Sequence, residues 1–182
     1  MFERLNVAIA EGWTGRFFED LAVGAVYQHP LGRTVTEADN TWFALLTMNT
    51  NQMHFNTEYA ARSEFTKPLV VSTLTLAIAV GQSVTDLTQN AFANLGWDDI
   101  KMTHPVFAGD TLFSESIVLE KRESVSRPHA GIVMVRTRTL NQDGEEVCSF
   151  KRTFYVYRHG AKQVEGIFPE GKKPLSLEDE LA

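Results

Sequence analysis

Ser72–Leu87, STLTLAIAVGQSVTDL, is the stretch whose reading decides the architecture. It is long enough for four helical turns, carries Leu74, Ala77, Ile78 and Val80, and has no charged residue before Asp86. A helix so apolar has to be surrounded. The material to surround it follows in the chain: Thr111–Arg122, Gly131–Asn141 and Glu145–Arg158 are long runs rich in Val, Ile, Thr, Phe and Tyr, which read as strands. Gln142-Asp143-Gly144 reads as the hairpin turn between the last two. In the final strand Cys148, Phe150, Phe154 and Val156 share one face, interrupted by Arg152. The expectation is an α+β layer fold, with an antiparallel sheet wrapped around a long central apolar helix.

Upstream, residues 15–33 mix aromatics with Gly and Pro and predict a wandering lead-in with a short strand around Ala25–His29. The period then changes. In TEADNTWFALLTM, Thr36 is placed to cap a helix with Asp39 three residues on, and Trp42, Leu45 and Leu46 fall on one helical stripe. A second short helix is expected over Thr57–Ser63 with Asn56 as its cap, ended by Pro68. No repeat or internal linker interrupts the sequence, so residues 1–160 read as a single domain and residues 161–182 as an extended or frayed tail.

The chain has 182 residues, enough to bury a sizeable core without disulfide or metal. Its one cysteine, Cys148, lies in a strand-like run and reads as a buried thiol, as expected of a cytoplasmic protein. The N-terminus lacks a basic region followed by a sustained apolar stretch, and no segment is apolar for long enough to span a bilayer, so neither leader nor membrane anchor is expected. With 17 Lys+Arg against 23 Asp+Glu, a net charge of -6 and no basic cluster, the sequence disfavours nucleic acid as a partner.

The chemistry gathers at Asn49-Thr50-Asn51-Gln52-Met53-His54. Histidine is the side chain that takes and returns a proton near neutral pH without prior perturbation, which makes His54 the first candidate for a catalytic base. Asn49 and Asn51 have two open readings, as ligand-positioning amides or as caps of backbone groups at a helix end. His29 and His104 each precede a proline, lack neighbours at metal-ligand spacing and read as structural; no metal site is expected. Gly109-Asp110 reads as a turn entering a strand.

Three segments in order carry a family resemblance. TEADNTWFALLTMNTNQMHFNTEYA, FTKPLVVSTLTLAIAVG and THPVFAGDTLFSESIV resemble the MaoC-like (R)-specific enoyl-CoA hydratases, which have the hot-dog fold. The first is similar to that family's helix leading into a D-x-N-x-x-H motif; here Asn49 holds the aspartate position, Asn51 and His54 match, and Gln52 stands where proline is common. Ser72-Thr73 occupies the place where the family often has His-Gly. The resemblance implies addition or removal of water across the α,β double bond of an enoyl-CoA thioester, with no cofactor beyond the CoA of the substrate. It implies His54 and Asn49 as catalytic residues and Asn51, Ser72, Thr73 and Leu74 as substrate-binding ones, with helix-start N–H groups on the thioester oxygen.

An amide does not exchange protons at neutral pH, so the two-residue acid/base arrangement of the family is incomplete, and a one-base mechanism on His54 is the expectation. The amide also suits a substrate that brings its own carboxylate, as in itaconyl- or mesaconyl-type C5 dicarboxyl-CoA esters, with Arg62, Arg122, Arg127 or Arg152 as counter-ion. Thioester hydrolysis is the alternative within the same fold, and a silent acyl-thioester-binding or dimer-partner subunit is the alternative that Asn49 keeps open. Hot-dog proteins resemble one another in building sites across dimers, which implies a homodimer or higher homo-oligomer.

Overall fold

The computed structural model describes residue 10 and residues 12–169, 171–173 and 175. A single antiparallel sheet runs in the order β1 (Val26–Gln28), β4 (Thr111–Glu123), β5 (Ala130–Leu140), β6 (Glu146–Tyr157), β3 (Ala91–Met102), and β2 (Arg33–Thr34) also pairs with β4. Helices α1 (Glu37–Leu46), α2 (Thr57–Ala60) and α3 (Ser72–Gln82) complete the chain. This is the hot-dog arrangement: α3 lies across the inner face of the sheet.

The packing follows from the strand alternation. Leu74 and Ala79 of α3 sink into a cluster with Leu112, Val147, Cys148 and Phe150, while Leu87, just beyond α3, packs with Val118, Val133, Val135, Phe154 and Val156. A close approach fixes the lead-in: a Cβ on Gly131 would come within 2.1 Å of the Phe18 ring. The sheet's inner face also carries a polar layer, in which Ser114 and Ser116 hydrogen-bond Thr139 and Thr137 at 2.8 Å, so the buried hydroxyls satisfy one another.

Three expectations change. The helix over Ser72–Leu87 stops being regular at Gln82 and continues as a π-helical turn over Val84–Thr88. It is also not surrounded: Thr73, Ala77 and Gly81, spaced four apart, form an uncovered stripe. Likewise Trp42, Leu45 and Leu46 are exposed, because α1 turns Asn40 and Ala44 inward instead. A strand of twelve residues, β3, was not legible, since Ala91–Met102 is poor in β-formers and its pairing with β6 is broken by three register shifts. Of the tail, residues 161–169 run as turns and bends with Ala161 buried, and the remainder of the expected frayed segment falls largely outside the described residues. Among the described residues no helix is long and apolar enough to cross a membrane.

Candidate active site

A relay of asparagines shapes the segment after α1. The capping box at the helix start forms, with Thr36 Oγ1 accepting from the Asp39 N–H at 3.1 Å and Asp39 Oδ2 accepting from the Thr36 N–H at 2.8 Å. At the other end Met48 adopts a left-handed φ of 55° and turns the chain out of the helix. Asn49 Oδ1 then accepts from the Asn51 N–H (3.1 Å), Asn51 Oδ1 caps the 3-10 turn Gln52–His54 through the Met53 N–H (3.0 Å), and Asn56 Oδ1 caps α2 through the Tyr59 N–H (3.1 Å). Both candidate amides thus use their oxygens on the backbone, while among the described residues their Nδ2 groups have no partner. Neither Asn49 nor Asn51 lines the cavity that His54 faces.

His54 is held by its main chain and its ring. Its Nδ1 lies 2.9 Å from the Leu69 carbonyl oxygen, which can only accept, so Nδ1 carries a hydrogen and in the neutral ring Nε2 has the lone pair. The ring lines a cavity of about 150 Å³ together with Glu37, Thr41, Thr57, Lys67 and Phe107.

Asn40, which carries no local motif that would single it out, ties this arrangement together. It is 4% exposed. Its Nδ2 donates to the carbonyls of His54 (2.7 Å) and Leu69 (2.9 Å), and its Oδ1 accepts from the Val71 N–H (2.9 Å). One amide therefore joins α1, the histidine turn and the start of α3, and reversing it would set oxygen against two carbonyls.

The start of α3 is open. Its N-cap residue is Val71, which has no side-chain acceptor, and among the described residues the N–H groups of Ser72 and Thr73 have no partner. Leu74 differs from expectation: its N–H is taken by the Val71 carbonyl at 2.9 Å and its side chain is buried, leaving two free donors instead of three. Ser72 lines a second cavity of about 250 Å³ with Phe65, Leu69, Thr75, Met102 and His104. His104 is exposed, its Nδ1 donates to the Glu146 carbonyl at 2.8 Å, and among the described residues its Nε2 has no partner. Leu69 relates the two places: its carbonyl accepts from the His54 ring, and the residue lines the second cavity.

None of the four expected arginines lines the His54 cavity; the cation there is Lys67, with Nζ 4.0 Å from the Phe107 ring centroid. Glu37 and Thr41 were missed because their relation to His54 is made by tertiary folding alone. The other histidine expected to be structural, His29, is buried, with Nδ1 3.0 Å from Asp86 and Nε2 2.9 Å from Ser116, and burial holds its imidazole below the ordinary value. Asp110 accepts from the Phe107 N–H at 2.8 Å within the turn before β4. No group of three metal-ligating side chains occurs among the described residues.

Comparison with solved structures defines the class. A putative MaoC domain protein dehydratase from Chloroflexus aurantiacus superposes with a TM-score of 0.79 at 27% identity, over 92% of this chain and 46% of its own. A Mycobacterium tuberculosis protein described as having a double hotdogfold gives 0.73 at 22% identity, over 87% of this chain and 47% of its own, a likeness of fold. The family model described as Mesaconyl-CoA hydratase matches residues 3–177, and the chain belongs to that family. A mesaconyl-CoA hydratase from Cereibacter sphaeroides is 36% identical over 142 residues, covering 78% of this chain and 41% of that protein. The chain spans 41–45% of the length of the curated relatives it matches.

Proposed function

We propose that this chain adds or removes water across the α,β double bond of an enoyl-CoA thioester, with a mesaconyl-type C5 dicarboxyl acyl group as substrate. The observation that carries this reading is the Nε2 of His54, free of partners among the described residues, on a ring oriented by the Leu69 carbonyl and joined through Asn40 to the uncapped start of α3. In the hydration direction His54 Nε2 takes a proton from water as its oxygen bonds to Cβ. The π electrons move toward the thioester oxygen, which the Ser72 and Thr73 N–H groups receive, and the imidazolium returns the proton to Cα on the same face. Atoms balance with one base, and no cofactor beyond the CoA of the substrate takes part.

Asn49 serves this scheme as a turn-former, since its Oδ1 is bonded to the backbone. Lys67 is the cation at hand for the acyl carboxylate. A second reading is favoured by Glu37, a carboxylate on the same cavity wall, as the group that delivers the proton to Cα.

The site is proposed to work in a pair of hot-dog units. Among the described residues β3 pairs with β6 alone, leaving an edge on which Leu95, Trp97, Ile100 and Met102 are 40–50% exposed. Relatives nearly twice as long, in which the 142-residue match covers 41% of the protein, have room for a second such unit in one chain. Here a second copy supplies it; light scattering that gives a single-chain mass rejects the pairing. A reducing cytoplasm suits the free buried thiol of Cys148.

Purified protein given mesaconyl-CoA or crotonyl-CoA is expected to lower absorbance at the unsaturated-thioester band. Release of free thiol instead identifies a thioesterase, and neither signal a silent binder. His54→Ala is expected to lose about 10²–10⁴-fold in kcat, and retention of near-native kcat refutes the role of His54. Glu37→Gln separates the two readings: one-base transfer leaves kcat within a few-fold.

A further inference from the structure

Arg152 stands in the middle of β6 on the inner face of the sheet and is 2% exposed. Its Nε and Nη2 are buried and have no hydrogen-bond partner, and among the described residues no carboxylate lies within 4.0 Å of it. The guanidinium is 5.0 Å from the Phe154 ring centroid, a contact that offsets little of the loss of hydration. Burial lowers it to about 10, which still leaves a cation at neutral pH. The polar groups around it are already paired: Asp86 with Arg16 and His29, His29 with Ser116, Ser116 with Thr137.

The residue opens on a cavity of about 270 Å³ under the end of α3, whose walls include Val80, Val84 and Phe92, with Thr88 and Asn94 as polar neighbours. Nε and Nη2 form the side edge of the guanidinium, where two parallel N–H bonds match the two oxygens of one carboxylate. Water satisfies such donors but does not neutralise the charge.

We propose that this cavity is a carboxylate-binding site, in which the guanidinium of Arg152 takes the carboxylate and the apolar walls take a short carbon chain. Val80 lies about 12 Å along α3 from Ser72, farther than a C5 acyl chain reaches from a thioester held at that helix start. The carboxylate therefore arrives either as a separate acid or on an acyl chain whose thioester is held by a second copy; only the second source rests on the proposed lyase activity.

The test titrates methylfumarate and its diamide into the wild-type protein and Arg152→Met. Wild type is expected to bind the diacid and not the diamide, and Arg152→Met to weaken the diacid by on the order of 100-fold. Wild type that binds neither, or both equally, or an Arg152→Met variant that binds the diacid as well as wild type, overturns the site. The two sources separate on turnover. A ratio of kcat/KM for mesaconyl-CoA over crotonyl-CoA that falls at least tenfold in the variant assigns the acyl carboxylate; lost acid binding with an unchanged ratio assigns a separate acid. If wild type turns over neither ester, the lyase reading falls while the titration still decides the site. Should Arg152→Met not fold, the Arg152 Nε–H resonance of the wild type is read instead: it shifts with the diacid and not the diamide, and a resonance indifferent to both refutes the proposal.

Discussion

Replacing Asn40 by alanine is expected to damage stability and chemistry together. The substitution removes three hydrogen bonds of 2.7–2.9 Å and leaves the His54 and Leu69 carbonyls and the Val71 N–H without their partner at a 4%-exposed position. A buried polar group left unsatisfied costs roughly 1–3 kcal/mol, and partial relaxation brings the loss to about 3–5 kcal/mol. That is a large share of a stability of about 5–15 kcal/mol and corresponds to about 10 °C in Tm for a domain of this size. Urea denaturation, analysed at constant m, measures it. Asn40→Asp sharpens the test, because a carboxylate can accept from Val71 but faces two carbonyl oxygens. Its folded-state pKa is driven above the ordinary value of about 3.9. A raised folded pKa means that the deficit relative to wild type is smallest below that value and grows as pH rises until the folded-state value is passed. An Asn40→Ala loss below about 1 kcal/mol, or an Asn40→Asp deficit that shrinks between pH 5 and pH 8, refutes the reasoning.

Val71→Thr keeps the shape of a buried N-cap and adds a hydroxyl that competes for the Thr73 N–H. It is expected to change stability by no more than about 1 kcal/mol while lowering kcat on the order of 10²-fold; unchanged kcat would show that the thioester oxygen binds elsewhere. Thr36→Ala should cost about 1 kcal/mol by urea denaturation. The Thr36 hydroxyl, then its N–H and Arg33, hold Asp39 below the usual carboxylate range. A lowered folded pKa contributes stability above the unfolded value of about 3.9 and loses it as pH falls through the folded one. The gap between wild type and Thr36→Ala should therefore close at acid pH. Cys148 is fully buried and its thiol is pushed up to about 11, chiefly by burial; a disulfide reagent at pH 8 should label it only through opening of the sheet, and rapid stoichiometric labelling of the native protein contradicts that burial.

Local chemistry was enough to read several elements. The Thr36–Asp39 capping box, the Asn56 cap of α2, the turn at Gly144 with its φ of 80° and strands β4 to β6 depend on neighbours within a few residues, so their signals lie contiguous in the chain. The same holds for His54, whose motif is local. β3 escaped because edge position and bulges relax the alternation by which a strand is recognised. The burial of α1 was misjudged because Trp42, Leu45 and Leu46 make an apolar stripe without saying what covers it.

The sequence by itself determined the layers, the helix under the sheet and the histidine proposed as the base, because periodicity and motif spacing are properties of adjacent residues. Only the tertiary structure decided that the Asn49 side chain bonds the nearby backbone, that Asn40 links three elements, that Lys67 and Glu37 share the cavity of His54, and that Arg152 is buried without a counter-ion among the described residues. Each of those facts is an accounting of hydrogen bonds and charge between segments tens of residues apart. Such an accounting closes only when the chain has brought those segments together.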